Sequence, residues 1–100
     1  MDRKVIWSFE AISDLEAIAE YISKDSKYYA TSFVQKVLEV SKSLSKFYER
    51  GRSVPELSNP EIREIFVKEY RLIYQIKENQ IVILGLVHGR RELKSFIEKK

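Results

Sequence analysis

Hydrophobic and polar positions follow two different rhythms, and the change falls near the middle of the chain. In the first half Ala11, Leu15, Ile18, Ala19 and Ile22 recur at intervals of three and four. That is the period of a helix with one buried face. Asp14, Glu16 and Glu20 fall largely on the opposite, wet side. Ser8 stands where a helix cap is needed, and Glu10 in the first turn suits the helix dipole. A second stripe holds Ala30, Phe33, Val37, Val40, Leu44 and Phe47, so a longer helix is predicted after the polar break Ser23-Lys24-Asp25-Ser26. No glycine or proline precedes Gly51, which is expected to end that helix, and Pro55 and Pro60 bracket the loop that follows.

The second half reads as strands. Ile62 to Val67, Tyr70 to Ile76 and Ile81 to Arg91 are dense in Ile, Val, Tyr and Phe, with Gly89 relaxing the backbone where the last run ends. Lys68-Glu69 and Lys77-Glu78-Asn79-Gln80 are too short for parallel crossovers, so the three runs form an antiparallel meander. Side chains alternate across a strand, so Leu72, Tyr74 and Ile76 share one face and Arg71, Ile73 and Gln75 the other. A short N-terminal strand over Lys4 to Ser8 is expected to join the sheet. The predicted order is β-α-α-β-β-β. It describes a single α+β domain over residues 1–100, with a helical hairpin on one face of a small antiparallel sheet. The second face is then expected to be bare, with arginine on it. Lys94 to Lys100 reads as a short terminal helix or a frayed tail.

Composition bounds the partners. The apolar share of 44% and charged share of 33% describe an ordinary globule of one domain. The chain has no cysteine, which removes disulfides and thiolate metal sites. Neither a metal nor a cofactor is expected. No apolar run is long enough to span a bilayer, and the N-terminus lacks a signal-peptide core, so a cytoplasmic location is expected. The formal charge of +3 is a mild bias toward polyanions, whose meaning depends on where the arginines cluster.

Three places carry candidate chemistry. Arg71 is a mid-strand arginine among apolar neighbours, and its charge must find water or an anion. It reads equally as an anion clamp or as the partner of a glutamate on an adjacent strand, with Glu64 the first choice. His88-Gly89-Arg90-Arg91 ends the last strand, and His88 is the only histidine. It has the chemistry of a general acid or base, although a lone histidine at a strand end is more often structural. Glu56 lies in a loop that has the reach to fold over the open face. Tyr70, beside Arg71, is a candidate for base stacking.

Taken together in this order and spacing, several pieces resemble the RelE/ParE superfamily of toxins from type II toxin-antitoxin modules. They are Ala11, Asp14, Leu15, Ile18, Tyr21 and Ile22; Gly51-Arg52, then Val54-Pro55-Glu56-Leu57; Ile62-Arg63-Glu64; Tyr70 to Tyr74; and His88 to Arg91. The resemblance implies a small toxin held inactive by an antitoxin that wraps it. RelE-like members cut mRNA on the ribosome. For such chemistry the resemblance would assign Glu56, Arg71, His88 and Arg91 as catalytic. Ile97 stands where RelE has its tyrosine, and Arg63 alone remains near that branch's lysine pair. The loop before the meander and the His-Gly-Arg-Arg ending look more like ParE, whose members poison DNA gyrase without known nuclease chemistry. The expectation is therefore a ParE-like gyrase inhibitor, with a ribosome-dependent ribonuclease as the alternative. Arg63, Tyr70, Arg71, Arg90 and Arg91 are the expected target-binding residues. Of these, Arg71, Arg90 and Arg91 are expected to be exposed and of little consequence for stability.

Overall fold

Both predicted caps form. Ser8 accepts a hydrogen bond from the Ala11 N–H at the start of α1 (Phe9–Ser23), and Ser26 accepts one from the Tyr29 N–H at the start of α2 (Lys27–Ser43). The computed structural model describes residues 2–90. Arg91, Ile97 and the terminal segment from Lys94 lie outside the described residues. The remaining elements are β1 (Lys4–Trp7), β2 (Arg52–Ser53), β3 (Ile62–Val67), β4 (Tyr70–Ile76) and β5 (Gln80–His88).

The strands form one sheet in the order β1-β5-β4-β3-β2. The meander β3-β4-β5 is antiparallel as expected. Two features go beyond the sequence reading. β1 lies parallel to β5, so the sheet is mixed, and the two-residue β2 pairs with β3 as a fifth strand. An irregularity between Ile73 and Tyr74 shifts the β4–β5 register past Leu84, which lets nine residues of β5 keep their apolar side chains inward on both sides of it.

The helices cover one face. Phe33, Val37, Val40 and Leu44 pack with Leu72, Tyr74, Ile81, Ile83 and Leu86. From α1 only Ala11 is fully buried; Leu15, Ile18 and Ile22 are half-buried against the same core. Asp14 is not on the wet side. Its carboxylate accepts from the Leu86 N–H at 3.1 Å, on the stretch of β5 that runs past the end of β1.

The second helix is shorter than its apolar stripe. It ends at Ser43, and Phe47 is 61% exposed. Ser41 and Ser43 donate back to the Leu38 and Val40 carbonyls, and Ser45 donates to the Arg3 carbonyl. Such bonds compete with the helical ladder. The chain then turns to bring Gly51 against the sheet, where an added Cβ would stand 2.5 Å from the Tyr74 hydroxyl and 2.6 Å from the Glu64 carbonyl. Tyr74 closes this corner by accepting from the Gly51 N–H and donating to the Tyr48 carbonyl, both at 2.8 Å.

Burial pushes the Tyr74 hydroxyl above the ordinary tyrosine value near 10. A raised value in the folded state means the stabilisation is complete below pH 10 and is lost as pH rises past it. Tyr74→Phe is expected to cost about 1–3 kcal/mol at neutral pH, because the buried Gly51 N–H loses its acceptor. It should also reduce the fall in stability above pH 10. Urea unfolding at pH 7 and at pH 10.5 measures both.

The second face of the sheet is not bare. The loop after β2 lies over it, and Val54, with Leu57 beside it, packs on Ile62, Ile73 and Val87. A face carrying four apolar side chains needs a cover, and the Val54-Pro55-Glu56-Leu57 segment supplies it.

Candidate functional site

Strand register determines which candidate residues meet. Arg52 lies opposite Glu64, and Phe66 lies opposite Arg71. Arg71 is therefore a diagonal neighbour of Glu64 on the same face, within reach of a long side chain. Their groups join at 2.9 Å, from Arg71 Nη1 to Glu64 Oε1. The Arg52 Nε donates to the other oxygen of Glu64 at 2.6 Å. From the covering loop Glu56 makes a two-point pair with Arg71, at 3.1 Å to Nη1 and 2.9 Å to Nη2. The result is an alternating row, Arg52–Glu64–Arg71–Glu56, in which each charge has an opposite neighbour.

This row is mostly inside the protein. Arg71 is 4% exposed and Glu64 1%, while Arg52 and Glu56 are open to solvent on either side. The hydrogen bonds from Glu56 push the Arg71 guanidinium further above its ordinary value, against the opposing cost of burial, and Glu64 adds to the rise. The structure thus shows the second reading of Arg71, a pair with Glu64 on the adjacent strand, and adds Glu56 of the covering loop as a further partner. The expectation of an exposed arginine on an open face is overturned, because the loop that carries Glu56 closes over it.

His88 is elsewhere. It lies opposite Tyr70, whereas Arg71 lies opposite Val87. Tyr70 and Arg71 are successive residues of one strand, so His88 and Arg71 are on opposite faces of the sheet. His88 stands edge-on to Tyr70 at 5.5 Å, and Tyr70 stands edge-on to Phe33 at 5.3 Å. Asp14, Ile18, Tyr70 and His88 line a cleft of about 280 Å³ on this side. The His88 Nδ1 accepts from the Arg90 N–H at 3.2 Å, which leaves Nε2 as the nitrogen carrying hydrogen in the neutral ring. Burial, aided by Glu69 and Tyr21, raises the Tyr70 hydroxyl above its ordinary value.

The other expected target-binding residues divide in the same way. Arg63 points to the helical side and donates to the Glu49 and Gly51 carbonyls at 3.1 and 3.0 Å, so it fastens the turn after α2. Arg90 is exposed at the end of β5. Gly89 sits where a Cβ would come within 2.9 Å of the Phe66 ring, so the chain leaves β5 in close contact with the tip of β3. Glu56 and Arg71 are brought together; His88 and Arg90 form a second group on the far side. Arg52 and Asp14 had no place in the sequence reading of the site. Arg52 was legible only as a residue of the Gly51-Arg52 motif, since nothing in its spacing gives its strand partner. Among the described residues no three metal-ligating side chains converge.

Two helices on a five-stranded mixed sheet is the fold of a solved toxin-antitoxin protein. The chain matches a chain of the chromosomal ParDE TA system from P. aeruginosa with a TM-score of 0.72 and 23% identity, over 86% of this chain and 95% of that one. In sequence it is 29% identical over 89 residues to Toxin RelE2 of Caulobacter vibrioides, covering 88% of this chain and 97% of the relative. The family model that matches the chain defines its class, a toxin of a type II toxin-antitoxin system. Residues 5–93 match the family described as "ParE toxin of type II toxin-antitoxin system, parDE", and the chain belongs to that family. No helix among the described residues is long and apolar enough to cross a membrane.

Proposed function

We propose that this toxin is held by a cognate antitoxin and, when free of it, arrests growth by binding DNA gyrase. The observation that carries the reading is the separation of Arg71 from His88. Cutting RNA needs a group to take the 2′-hydroxyl proton, a group to protonate the leaving oxygen, and a cation for the charge that develops on phosphorus. Glu56, His88 and Arg71 are the set for those roles. Yet the Arg71 charge is already met by Glu56 and Glu64 inside the protein, and His88 lies across the sheet from both. A gyrase binder needs none of the three to converge. Membership of the ParE family supports the same choice and, with the ParDE relative, the antitoxin partner.

The test is induction of the toxin without its antitoxin, with mRNA ends mapped and DNA breaks scored in the same cells. DNA breaks without codon-phased mRNA cuts are expected. His88→Ala is expected to change the dose needed for growth arrest by less than about tenfold, whereas losing a general acid or base costs roughly 10²–10⁴-fold. Codon-phased cuts that disappear in His88→Ala would establish the ribonuclease instead.

A further inference from the structure

Four cations, Arg3, Lys42, Lys46 and Arg50, lie around a turn that is separate from the Arg71 row and the His88 cleft. Between α2 and β2 the chain runs Leu44-Ser45-Lys46-Phe47-Tyr48-Glu49-Arg50-Gly51. Lys42 from the last turn of α2 and Arg3, the residue before β1, join this turn. The Arg3 N–H donates to the Ser45 carbonyl at 2.9 Å, and the Arg3 guanidinium lies over the Tyr48 ring at 3.9 Å. The Arg50 Nη1 donates to the Ser43 hydroxyl at 3.0 Å, which lays that side chain back along the end of α2. Lys46, Phe47, Tyr48, Glu49 and Arg50 line a hollow of about 460 Å³.

None of Arg3, Lys42, Lys46 and Arg50 is in an ion pair among the described residues, whose ion pairs lie on Lys36, Arg52 and Arg71. Glu49 is the one carboxylate within residues 44–51. A helix C-terminus favours cations in its last turn, which accounts for Lys42. It does not account for Lys46 and Arg50 beyond the helix, nor for a phenylalanine left 61% exposed between them. The turn itself is held firmly. Tyr74 binds Tyr48 and Gly51, and Arg63 binds Glu49 and Gly51. The cations are thus presented on a fixed support, and little ordering is needed on binding.

Unpaired cations around an exposed aromatic ring match the needs of an unpaired nucleic acid strand. Phosphates take the cations, and an unstacked base takes the ring face. We propose that Arg3, Lys42, Lys46, Phe47 and Arg50 form a binding surface for single-stranded nucleic acid. The surface is separate from the Glu56–Arg71 row and from His88, and it stands whether or not the gyrase reading does.

The test uses the full chain and fluorescein-labelled 12-mers of dT and of U, with a 12-base-pair duplex for comparison, in anisotropy titrations from 50 to 200 mM salt. Binding to both single strands, tighter than to the duplex, is expected. Whether dT or U binds better tells DNA from RNA as the natural source. The triple change Lys42→Gln, Lys46→Gln and Arg50→Gln should weaken single-strand binding at least ~10-fold and make the log–log salt dependence shallower by roughly 2. Phe47→Ala should weaken single-strand binding by roughly 5- to 150-fold and leave the duplex unchanged. All four side chains are exposed, and circular dichroism checks that the fold survives. A control triple, Lys24→Gln, Lys27→Gln and Lys36→Gln, removes the same charge from the break between the helices and the middle of α2. Equal loss in the control would reduce the effect to net charge and overturn the surface. So would the absence of binding at 50 mM salt, or tighter binding to a glutamate-rich peptide of the same charge than to the oligonucleotides.

Discussion

Replacing Arg71 by alanine is expected to cost about 3–5 kcal/mol of folding stability. The change leaves the carboxylate of Glu64 inside the protein without its Arg71 partner, and it removes the two contacts that Arg71 makes to Glu56. An exposed arginine would cost less than about 1 kcal/mol, so the two descriptions of this residue differ by an amount that urea unfolding resolves easily. A loss below about 1 kcal/mol would show that the row is solvated. Removing the whole charged pair is a different experiment. Arg71→Met with Glu64→Leu leaves no orphaned charge there, and most of the loss should be recovered. Toxicity data follow from this. Growth arrest that disappears in Arg71→Ala would reflect loss of folded protein before it reflects loss of a target contact. Arg90→Ala, at an exposed strand end, carries no such ambiguity.

Phe33→Ala is expected to cost about 3–5 kcal/mol as well, by a different route. Phe33 is buried on α2 and meets the edge of Tyr70 on β4, so its ring joins the helical layer to the sheet. Deleting it leaves a cavity between two layers whose backbones are fixed by their own hydrogen bonds, and the site cannot collapse fully. The same deletion removes the support under Tyr70 and, through it, under His88. Urea midpoints measure the first effect. A loss under about 2 kcal/mol would mean that the layers close over the gap.

The helical hairpin and the meander were legible because each has a period and a boundary that composition enforces. Ser26 caps where the apolar stripe restarts, and Lys68-Glu69 is too short for anything but a hairpin. The errors share a cause: each concerns where the chain goes between periodic stretches. Phe47 continues the α2 stripe by spacing, but Ser41, Ser43 and Ser45 redirect their hydroxyls to backbone carbonyls and the helix stops. The serine run was the available signal. β2 holds only Arg52 and Ser53, both exposed, so no apolar alternation announces it. The closed face was half-legible. Val54 and Leu57 are the apolar residues of a loop, and a loop with two apolar residues beside a sheet is a cover. In the site, the Glu64–Arg71 pairing was one of the two readings of Arg71, and strand alternation made it available. That His88 turns away from Arg71 required the β4–β5 register, which sequence spacing does not determine across the turn between them.

The parallel pairing of β1 with β5 matters to the chain while it is being made. Residue 4 finds its partner at residue 80 and residue 7 at residue 83. When residue 75 has been added, both helices, β3 and most of β4 have been synthesised, but nothing for β1 to pair with. At elongation rates of roughly 20 residues per second, several seconds pass between the synthesis of the first strand and that of its partner. The sheet is complete only once residues 80–83 have been made, so a nascent chain interrupted short of residue 80 leaves β1 without its partner strand.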